Sequence, residues 1–368
     1  MSDERTGIDL LFSPAKIGAL SIPNRIVMAP LTRARSTNRV PNDLMTLYYE
    51  QRASAGLIIS EATAISPQGY GWHGAPAIYA PEQVAGWKRV TEAVHSAGGR
   101  MFLQLWHMGR ISHPDYQPGG LLPVAPSPIA AIGEAHTPTG KKPFVTPREL
   151  TKDEIEGIVH DYATATRNAR EAGFDGVEIH AANGYLIDEF LRDGSNQRTD
   201  EYGGSISNRM RFLTEVVEAV TDAWDSERTG VRVSPTMNGG GMVDSDPIAL
   251  YRQVGQMLNR YGLAYLHVAE AIKPGRLFNP DAPRVTPEIR KVFKGPLIAN
   301  GGYDSTTAAD AIRNGAADAI SFGQPFIANP DLPARIRELA PWNTPDPSTY
   351  YSSGPGGYTD YPVLTSSS

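Results

Sequence analysis

Short apolar runs alternate with segments of helical period from one end of the chain to the other. The runs cover residues 25–30, 57–60, 100–106, 176–179, 231–234, 264–268, 296–299 and 319–322. Their length and their β-branched and aromatic content predict strands. Between them the best-marked helix begins at Thr151. There Glu154, three positions on, predicts a capping box that satisfies two orphan amides. Ile155, Ile158, Val159 and Tyr162 then repeat at helical spacing, and Gly173 stands where a left-handed cap would close the helix. A second helix is expected over 207–224, with Met210, Phe212, Leu213, Val216, Val217 and Val220 on its apolar side. A third follows Pro247 and a fourth follows Ser305. Eight strands alternating with helices predict an α/β fold, a closed parallel (β/α)8 TIM barrel whose helices cover its outside.

Two excursions interrupt the alternation. Residues 111–149, after the third strand, are rich in Pro and Gly and lack a helical period, which predicts a lid or rim over one barrel mouth. Residues 341–368 are rich in Pro, Gly, Ser and Tyr and read either as an arm draped over the body or as a disordered tail. No internal repeat is visible. A chain of 368 residues fits one barrel with excursions, so residues 1–368 are expected to form a single domain.

Charge and composition narrow the function. The formal net charge of -6 offers no basic patch for nucleic acid or an anionic membrane. Cys is absent, which excludes disulfides, thiolate metal sites, iron–sulfur clusters and a cysteine nucleophile. No apolar run is long enough for a signal peptide or a membrane span, so a soluble, cytoplasmic protein is expected. The eight His residues do not cluster at metal-ligand spacing; His107 and His113 are too far apart for H-x-x-x-H. No metal is expected. No G-x-G-x-x-G follows an early strand, which argues against a Rossmann-held nicotinamide.

The richest chemistry follows the fourth strand, in Glu178-Ile-His-Ala-Ala-Asn-Gly-Tyr185. His180 and Asn183 fall at a strand end, where parallel barrels carry their active sites, and can offer donors to one electronegative atom such as a carbonyl or nitro oxygen. Tyr185 brings a phenol, whose ordinary pKa of ~10 keeps a proton available at neutral pH. Thr32 closes the first strand, Ala62 the second, and Gln104 lies in the third. Arg232 is flanked by Val231 and Val233, so it faces the barrel interior if they face the helices. A buried guanidinium needs an anionic partner. Either Glu61 or Glu178 supplies it, or a ligand that becomes negative during reaction does. The last strands end in Asn300-Gly-Gly302 and Phe322-Gly-Gln-Pro325. Those glycines either free backbone amides for a phosphate cradle or merely permit tight strand-to-helix turns.

Taken in order, these segments resemble the Old Yellow Enzymes, flavin-dependent ene-reductases. The resemblance runs through Leu11-Phe-Ser-Pro14, Ile22-Pro-Asn-Arg25, Met28-Ala-Pro-Leu-Thr32, Ile59-Ser-Glu-Ala-Thr63 and Gln104-Leu-Trp-His-Met-Gly-Arg110. It continues through His180-Ala-Ala-Asn-Gly-Tyr185, Gly203-Gly-Ser-Ile-Ser-Asn-Arg209, Phe326-Ile-Ala-Asn-Pro-Asp-Leu332 and Gly357-Tyr-Thr-Asp-Tyr-Pro362. It implies noncovalent FMN at the carboxyl mouth of the barrel. By analogy Pro30, Thr32, Ala62, Gln104, His180, Arg232, Asn300, Gly301, Gly302, Gly323 and Gln324 would hold that cofactor. Thr32 would meet the flavin O4, Gln104 the pyrimidine edge, and Arg232 the N1 and O2 side. His180 and Asn183 would hold the electron-withdrawing oxygen of an enone, enal or nitroalkene. Tyr185 would protonate the carbon alpha to that group, while hydride from flavin N5 adds to the beta carbon.

The same resemblance implies a ping-pong cycle with NADPH or NADH entering the same pocket, which accounts for the missing Rossmann motif. Trp72, Trp106 and Tyr358 would wall the substrate pocket. Two positions stand out within the family pattern: Gln324 replaces a usual Arg at the phosphate, implying weaker phosphate binding, and Trp72 replaces a frequent rim Tyr. A flavin-free barrel acting on a phosphorylated sugar as an aldolase or isomerase would share the glycine turns. It would want a Lys or carboxylate base at a strand end, however, and only Glu270 lies near one. A noncatalytic binding protein is the third reading.

Overall fold

A computed structural model describes residues 7–274, 279 and 281–365; the polar residues 1–6 and the terminal serines 366–368 lie outside the described residues. The barrel strands are β1 (Ile26–Met28), β2 (Leu57–Ile59), β3 (Met101–Trp106), β4 (Gly176–Ala181), β5 (Thr229–Val233), β6 (Tyr265–Ala269), β7 (Leu297–Asn300) and β8 (Ala319–Phe322). Each pairs in parallel with the next. β8 pairs with β1, so the sheet closes and no barrel strand is left with an open edge. The helices that follow the eight strands in turn are α1 (Asp43–Glu50), α2 (Pro81–Ser96), α3 (Lys152–Glu171), α4 (Arg211–Ala223), α5 (Pro247–Leu258), α6 (Thr286–Val292), α7 (Ser305–Arg313) and α8 (Leu332–Arg337). This is the expected (β/α)8 architecture.

Local signals account for the helix ends. At α3 the Glu154 amide donates to Thr151 Oγ1 at 3.3 Å, and the Thr151 amide donates back to Glu154 Oε2 at 2.9 Å. Gly173 takes a φ of 83° just beyond its end. The helix expected over 207–224 is two pieces, Ile206–Arg209 and then α4, whose Phe212, Leu213, Val216, Val217 and Val220 are fully buried. α1 and α2 escape the pattern. α1 is short and capped by Asn42, which accepts from the Met45 amide at 3.1 Å, and α2 starts at Pro81, with Gln83 Oε1 taking the Ala80 amide at 3.0 Å.

The two excursions are more ordered than their composition suggests. Residues 111–149 contain a hairpin, Glu134–Thr137 against Gly140–Pro143, and a short parallel pairing of Val124–Ala125 with Arg148–Glu149. The hairpin's buried positions are Ala135 and Thr137, too weakly apolar to mark a strand by period. The tail is an arm held down by arginines. Arg33 donates to the carbonyls of Tyr350 and Gly357, Arg35 to those of Thr349 and Tyr350, and Arg335 to those of Pro341 and Pro362.

Inside the barrel the pleat sorts residues into layers. At the amino end a hairpin, Ala15–Ile17 with Leu20–Ile22, packs Ile17 and Ile22 under Val27, Leu57, Ile59, Phe102, Tyr265 and Ile298 and closes that mouth. Two large rings fill this layer because glycines face them. Gly176 stands in register with Phe102, and Gly230 with Tyr265. A Cβ on Gly230 would lie 2.3 Å from the Tyr265 ring, and one on Gly176 2.3 Å from that of Phe102. The next inward residues, Gln104, Glu178, His267 and Ser321, are polar. Apolar filling thus seals one end while polar side chains line the other. Gly230→Ala is expected to displace the Tyr265 ring and lower the thermal unfolding midpoint, at a cost of about 1–3 kcal/mol. An unchanged midpoint would show that the ring has room to spare.

Candidate functional site

The carboxyl mouth opens into a cavity of about 550 Å³ lined by residues from the ends of most of the barrel strands. It gathers Pro30, Thr32, Ala62, Gln104, His180, Arg232, Asn300, Gly301, Gly302, Gly323 and Gln324, together with Trp72, Trp106, Asn183 and Tyr185. Residues far apart along the chain thus meet in one cavity. A hollow of about 630 Å³ between α7 and α8 contains none of them, and its Arg313 and Arg335 are committed to Asp310 and Asp331.

One wall is the turn after β4. Asn183 and Gly184 both adopt left-handed backbone, with φ of 60° and 79°. Asn tolerates that region better than most side chains, and Gly adopts it without cost. The turn is pinned from beneath. The Asn183 amide donates to Ser234 Oγ at 2.7 Å, and the Gly184 amide donates to Asp188 Oδ2 at 2.9 Å. Asp188 is itself held by Arg192 at 2.8 Å and by Tyr251 Oη at 2.9 Å. The chain then enters the helix Leu186–Leu191 with Tyr185 as its first flanking residue. His180, Asn183 and Tyr185 therefore line the same cavity. The His180 and Tyr185 rings are 4.9 Å apart and nearly perpendicular, and Trp106 meets the other side of Tyr185 at 5.1 Å.

The electrostatics of this wall are asymmetric. Burial, then the neighbouring Arg232 and His267, hold His180 well below the ordinary histidine range, so its imidazole is neutral at neutral pH. His180 Nδ1 and Asn183 Oδ1 are buried and have no hydrogen-bond partner among the described residues. Buried polar atoms left unpaired are costly, and two of them beside one cavity fit a ligand that completes them.

Arg232 lies at the floor, only 5% exposed, and donates from Nη2 to Asn300 Oδ1 at 3.1 Å. Asn300 in turn donates to the Ser321 carbonyl at 2.9 Å. The carboxylates considered as its partners have other bonds. Glu61 accepts from the Arg33 amide at 3.3 Å and Tyr49 Oη at 3.2 Å, and burial pushes it up to about 7. Glu178 accepts from Gln104 Nε2 at 2.7 Å and faces His267 Nδ1 at 2.9 Å.

At the opposite side the glycines divide between the two readings. Gly301, at φ of 127°, is required by the protein itself, because a Cβ would lie 2.6 Å from Ala271 Cα. Gly302 takes φ of 80°, a second left-handed turn. Gly323 is different. Its φ is -94°, and a Cβ there would meet nothing of the protein closer than Leu31 Cδ2 at 3.5 Å. Protein packing does not demand this glycine, whereas close approach of a ligand to the backbone would. Gln324 follows it, exposed, at the start of the short helix Gln324–Ala328.

The aromatic walls are partly reassigned. Trp72 lines the cavity, touching His136 of the excursion hairpin and Tyr351 of the tail, each with rings 5.1 Å apart. The 111–149 excursion thus reaches the rim through Trp72, and none of its residues lines the cavity itself. Tyr358 does not belong to the wall. It is fully buried, stacked on Tyr48 at 4.0 Å, with the Arg35 guanidinium 4.5 Å from its ring centre. Its place is taken by Tyr350, Tyr351 and Trp342 from the same tail, with Tyr303 and Lys273 opposite. No periodicity marks these residues, because the tail's path depends on arginine-to-carbonyl bonds, those from Arg33 and Arg35 reaching more than 300 residues along the sequence. Among the described residues, no group of three or more His, Asp or Glu is arranged to hold a metal ion, and no helix is long and apolar enough to cross a membrane.

Residues 10–343 match the NADH:flavin oxidoreductase / NADH oxidase family. A solved Old Yellow Enzyme homologue from Zymomonas mobilis is 52% identical and superposes with a TM-score of 0.94, over 96% of this chain and 99% of that one. Morphinone reductase, solved in complex with tetrahydroNAD, is 50% identical with a TM-score of 0.91, over 97% of this chain and 98% of its own. A probable flavin mononucleotide-dependent alkene reductase of Leishmania infantum is 45% identical over 371 residues, 99% of this chain and 100% of the relative. 12-Oxophytodienoate reductase 1 of Oryza sativa subsp. japonica is 45% identical over 361 residues, 96% and 93% of the two chains. This chain belongs to the NADH:flavin oxidoreductase / NADH oxidase family and is an FMN-dependent oxidoreductase of the Old Yellow Enzyme type.

Proposed function

We propose that this enzyme reduces carbon–carbon double bonds activated by a carbonyl or nitro group, in a ping-pong cycle driven by NADPH or NADH. The observation that carries the reading is the pair of buried atoms without hydrogen-bond partners among the described residues, His180 Nδ1 and Asn183 Oδ1, beside the phenol of Tyr185 in one cavity. Bound FMN supplies the hydride chemistry between the nicotinamide and the carbon beta to the activating group. Thr32, Gln104, Arg232 and the turns at Gly301, Gly302 and Gly323 form the donor and acceptor set that suits its ring and phosphate. The morphinone reductase complex with tetrahydroNAD and the alkene reductase among the relatives support both the reductant and the substrate class.

His180 and Asn183 bind the activating oxygen. A neutral imidazole donates one N–H, and the Asn183 amide offers its NH₂ once turned over, an interchange that the hydrogen-bond partner decides. The imidazole and the pinned Asn183 backbone are in place before substrate arrives, so only the amide has to turn to stabilise charge gathering on that oxygen. Tyr185 delivers the proton to the alpha carbon, and Trp106 holds its ring in place. Gln324 lies beside the glycine turn as a neutral amide, and FMN phosphate binding there rests on backbone donors more than on charge. The flavin-free aldolase or isomerase reading loses its base: Glu270 accepts from the amides of Val285 and Thr286 and from Arg284, and so supports a loop.

The purified protein is expected to be yellow, bleached by NADPH or NADH and recoloured by an enone. A colourless preparation that takes up no added FMN would overturn the cofactor site. Tyr185→Phe is expected to slow flavin reoxidation by an enone about 100-fold while leaving reduction by NAD(P)H unchanged, measured by stopped-flow absorbance. Equal rates in both half-reactions would remove Tyr185 from the proton step.

The depressed pKa of His180 has a sign that titration can check. Through the window around the ordinary histidine value of about 6.5 the imidazole stays neutral, so affinity for neutral phenol at the oxidised enzyme should not break there. His180→Ala should weaken phenol about tenfold at every pH in that window. A break near 6.5 that disappears in the variant would mean that the imidazole is protonated there.

A further inference from the structure

Below the cavity floor, four inward-facing side chains form a continuous hydrogen-bonded chain across the barrel. Gln104 on β3 donates from Nε2 to Glu178 Oε1 on β4 at 2.7 Å. Glu178 Oε2 meets His267 Nδ1 on β6 at 2.9 Å, and His267 Nε2 meets Ser321 Oγ on β8 at 2.8 Å. Glu178 and His267 are both fully buried, and the established reaction type has no use for either. Of the four, Gln104 and Ser321 reach the cavity wall.

The chemistry of the chain fixes its direction. A carboxylate accepts and does not donate, so His267 carries its proton on Nδ1, and the Gln104 amide must turn its nitrogen toward Glu178. Burial, working against the attraction of Glu178, lowers the His267 pKa, so the ring is neutral and its Nε2 accepts from the Ser321 hydroxyl. Every link then has one donor and one acceptor. With its nitrogen committed to Glu178, Gln104 leaves its carbonyl oxygen and second amide hydrogen for the cavity. A flavin pyrimidine ring presents one N–H donor, N3, between two carbonyl acceptors. An amide in this orientation matches that edge, and a flipped amide would set donor against donor.

We propose that Glu178 is a positioning residue for the cofactor: seated on His267, its carboxylate locks the Gln104 amide in the orientation that accepts from the flavin N3–H. The proposal rests on the reading of Gln104 as a cofactor contact, and the two can be separated. Two other roles for Glu178 make different predictions. As a partner of Arg232, or as plain filling of the barrel, it would act on FMN without passing through Gln104.

The test is a double-mutant cycle with FMN affinity and the N3–H proton resonance of bound oxidised FMN as readouts. Glu178→Gln gives Gln104 a neighbour that can donate as well as accept, so the amide is no longer locked. It is expected to weaken FMN binding about tenfold and move the N3–H resonance upfield, as Gln104→Ala also does. In the Gln104→Ala background, Glu178→Gln should then change neither quantity. Equal loss of affinity from Glu178→Gln in both backgrounds, or no loss from it where Gln104→Ala does weaken FMN, would overturn the positioning role alone. Unchanged FMN affinity in Gln104→Ala would overturn the Gln104 contact and the positioning role with it. If Glu178→Gln does not accumulate as folded protein, Glu178→Asp withdraws the carboxylate by one methylene and keeps its charge. The same coupling to Gln104 is expected of it, and its absence overturns the proposal.

Discussion

Closure of eight parallel strands is the constraint on which this molecule depends. Each strand sends alternate residues into a space shared with seven others, and nothing placed there escapes to solvent except through the carboxyl mouth. The chain meets that constraint with a gradient. Branched and aromatic side chains, fitted against Gly176 and Gly230 and plugged by the amino-terminal hairpin, fill the lower barrel. Above them the interior becomes polar, first Gln104, Glu178 and His267, then His180 and Arg232. Buried polar groups are tolerable only when bonded, and each group in the lower polar layer has a partner. In the upper layer His180 Nδ1 and Asn183 Oδ1 have none among the described residues. Both residues line the cavity.

That gradient explains why the same strands serve stability and chemistry. β4 carries Gly176 at the bottom, Glu178 in the middle and His180 at the top, two residues apart each time. One strand thus makes room for a neighbour's ring, anchors a hydrogen-bonded chain and presents an imidazole to the cavity. Burial and the two neighbouring cationic or imidazole groups keep that imidazole neutral. The strain of the left-handed Asn183 is sustained by Ser234 and Asp188 underneath it, as is common where a backbone is bent to aim a side chain.

The rim follows a different logic. It is assembled from the segment before α2, the excursion hairpin and the carboxyl-terminal arm, which meet at Trp72, His136 and Tyr351. The arm has little regular structure of its own. It is fixed because Arg33, Arg35 and Arg335 spend their fork of donors on its carbonyls, and because Tyr358 is sandwiched between Tyr48 and the arginines. A guanidinium can satisfy several carbonyls at once, which gives an irregular chain the hydrogen bonding that a helix or sheet would otherwise provide.

Strand parity makes much of the site legible in the sequence itself. Arg232 between two valines has to face inward, His180 and Asn183 have to lie near a strand end, and the Gly-rich seventh and eighth strand ends have to turn sharply. Those inferences use only the period of two and the barrel's closure, both properties of local sequence. Tertiary structure decides everything that depends on partners distant along the chain. It sets Glu178 against Gln104 and His267, puts Tyr350 and Tyr351 at the cavity, and sends Tyr358 into the core. It also separates Gly301, which packing demands, from Gly323, which packing does not. Periodicity reports which way a side chain points; only the closed barrel determines what it meets there.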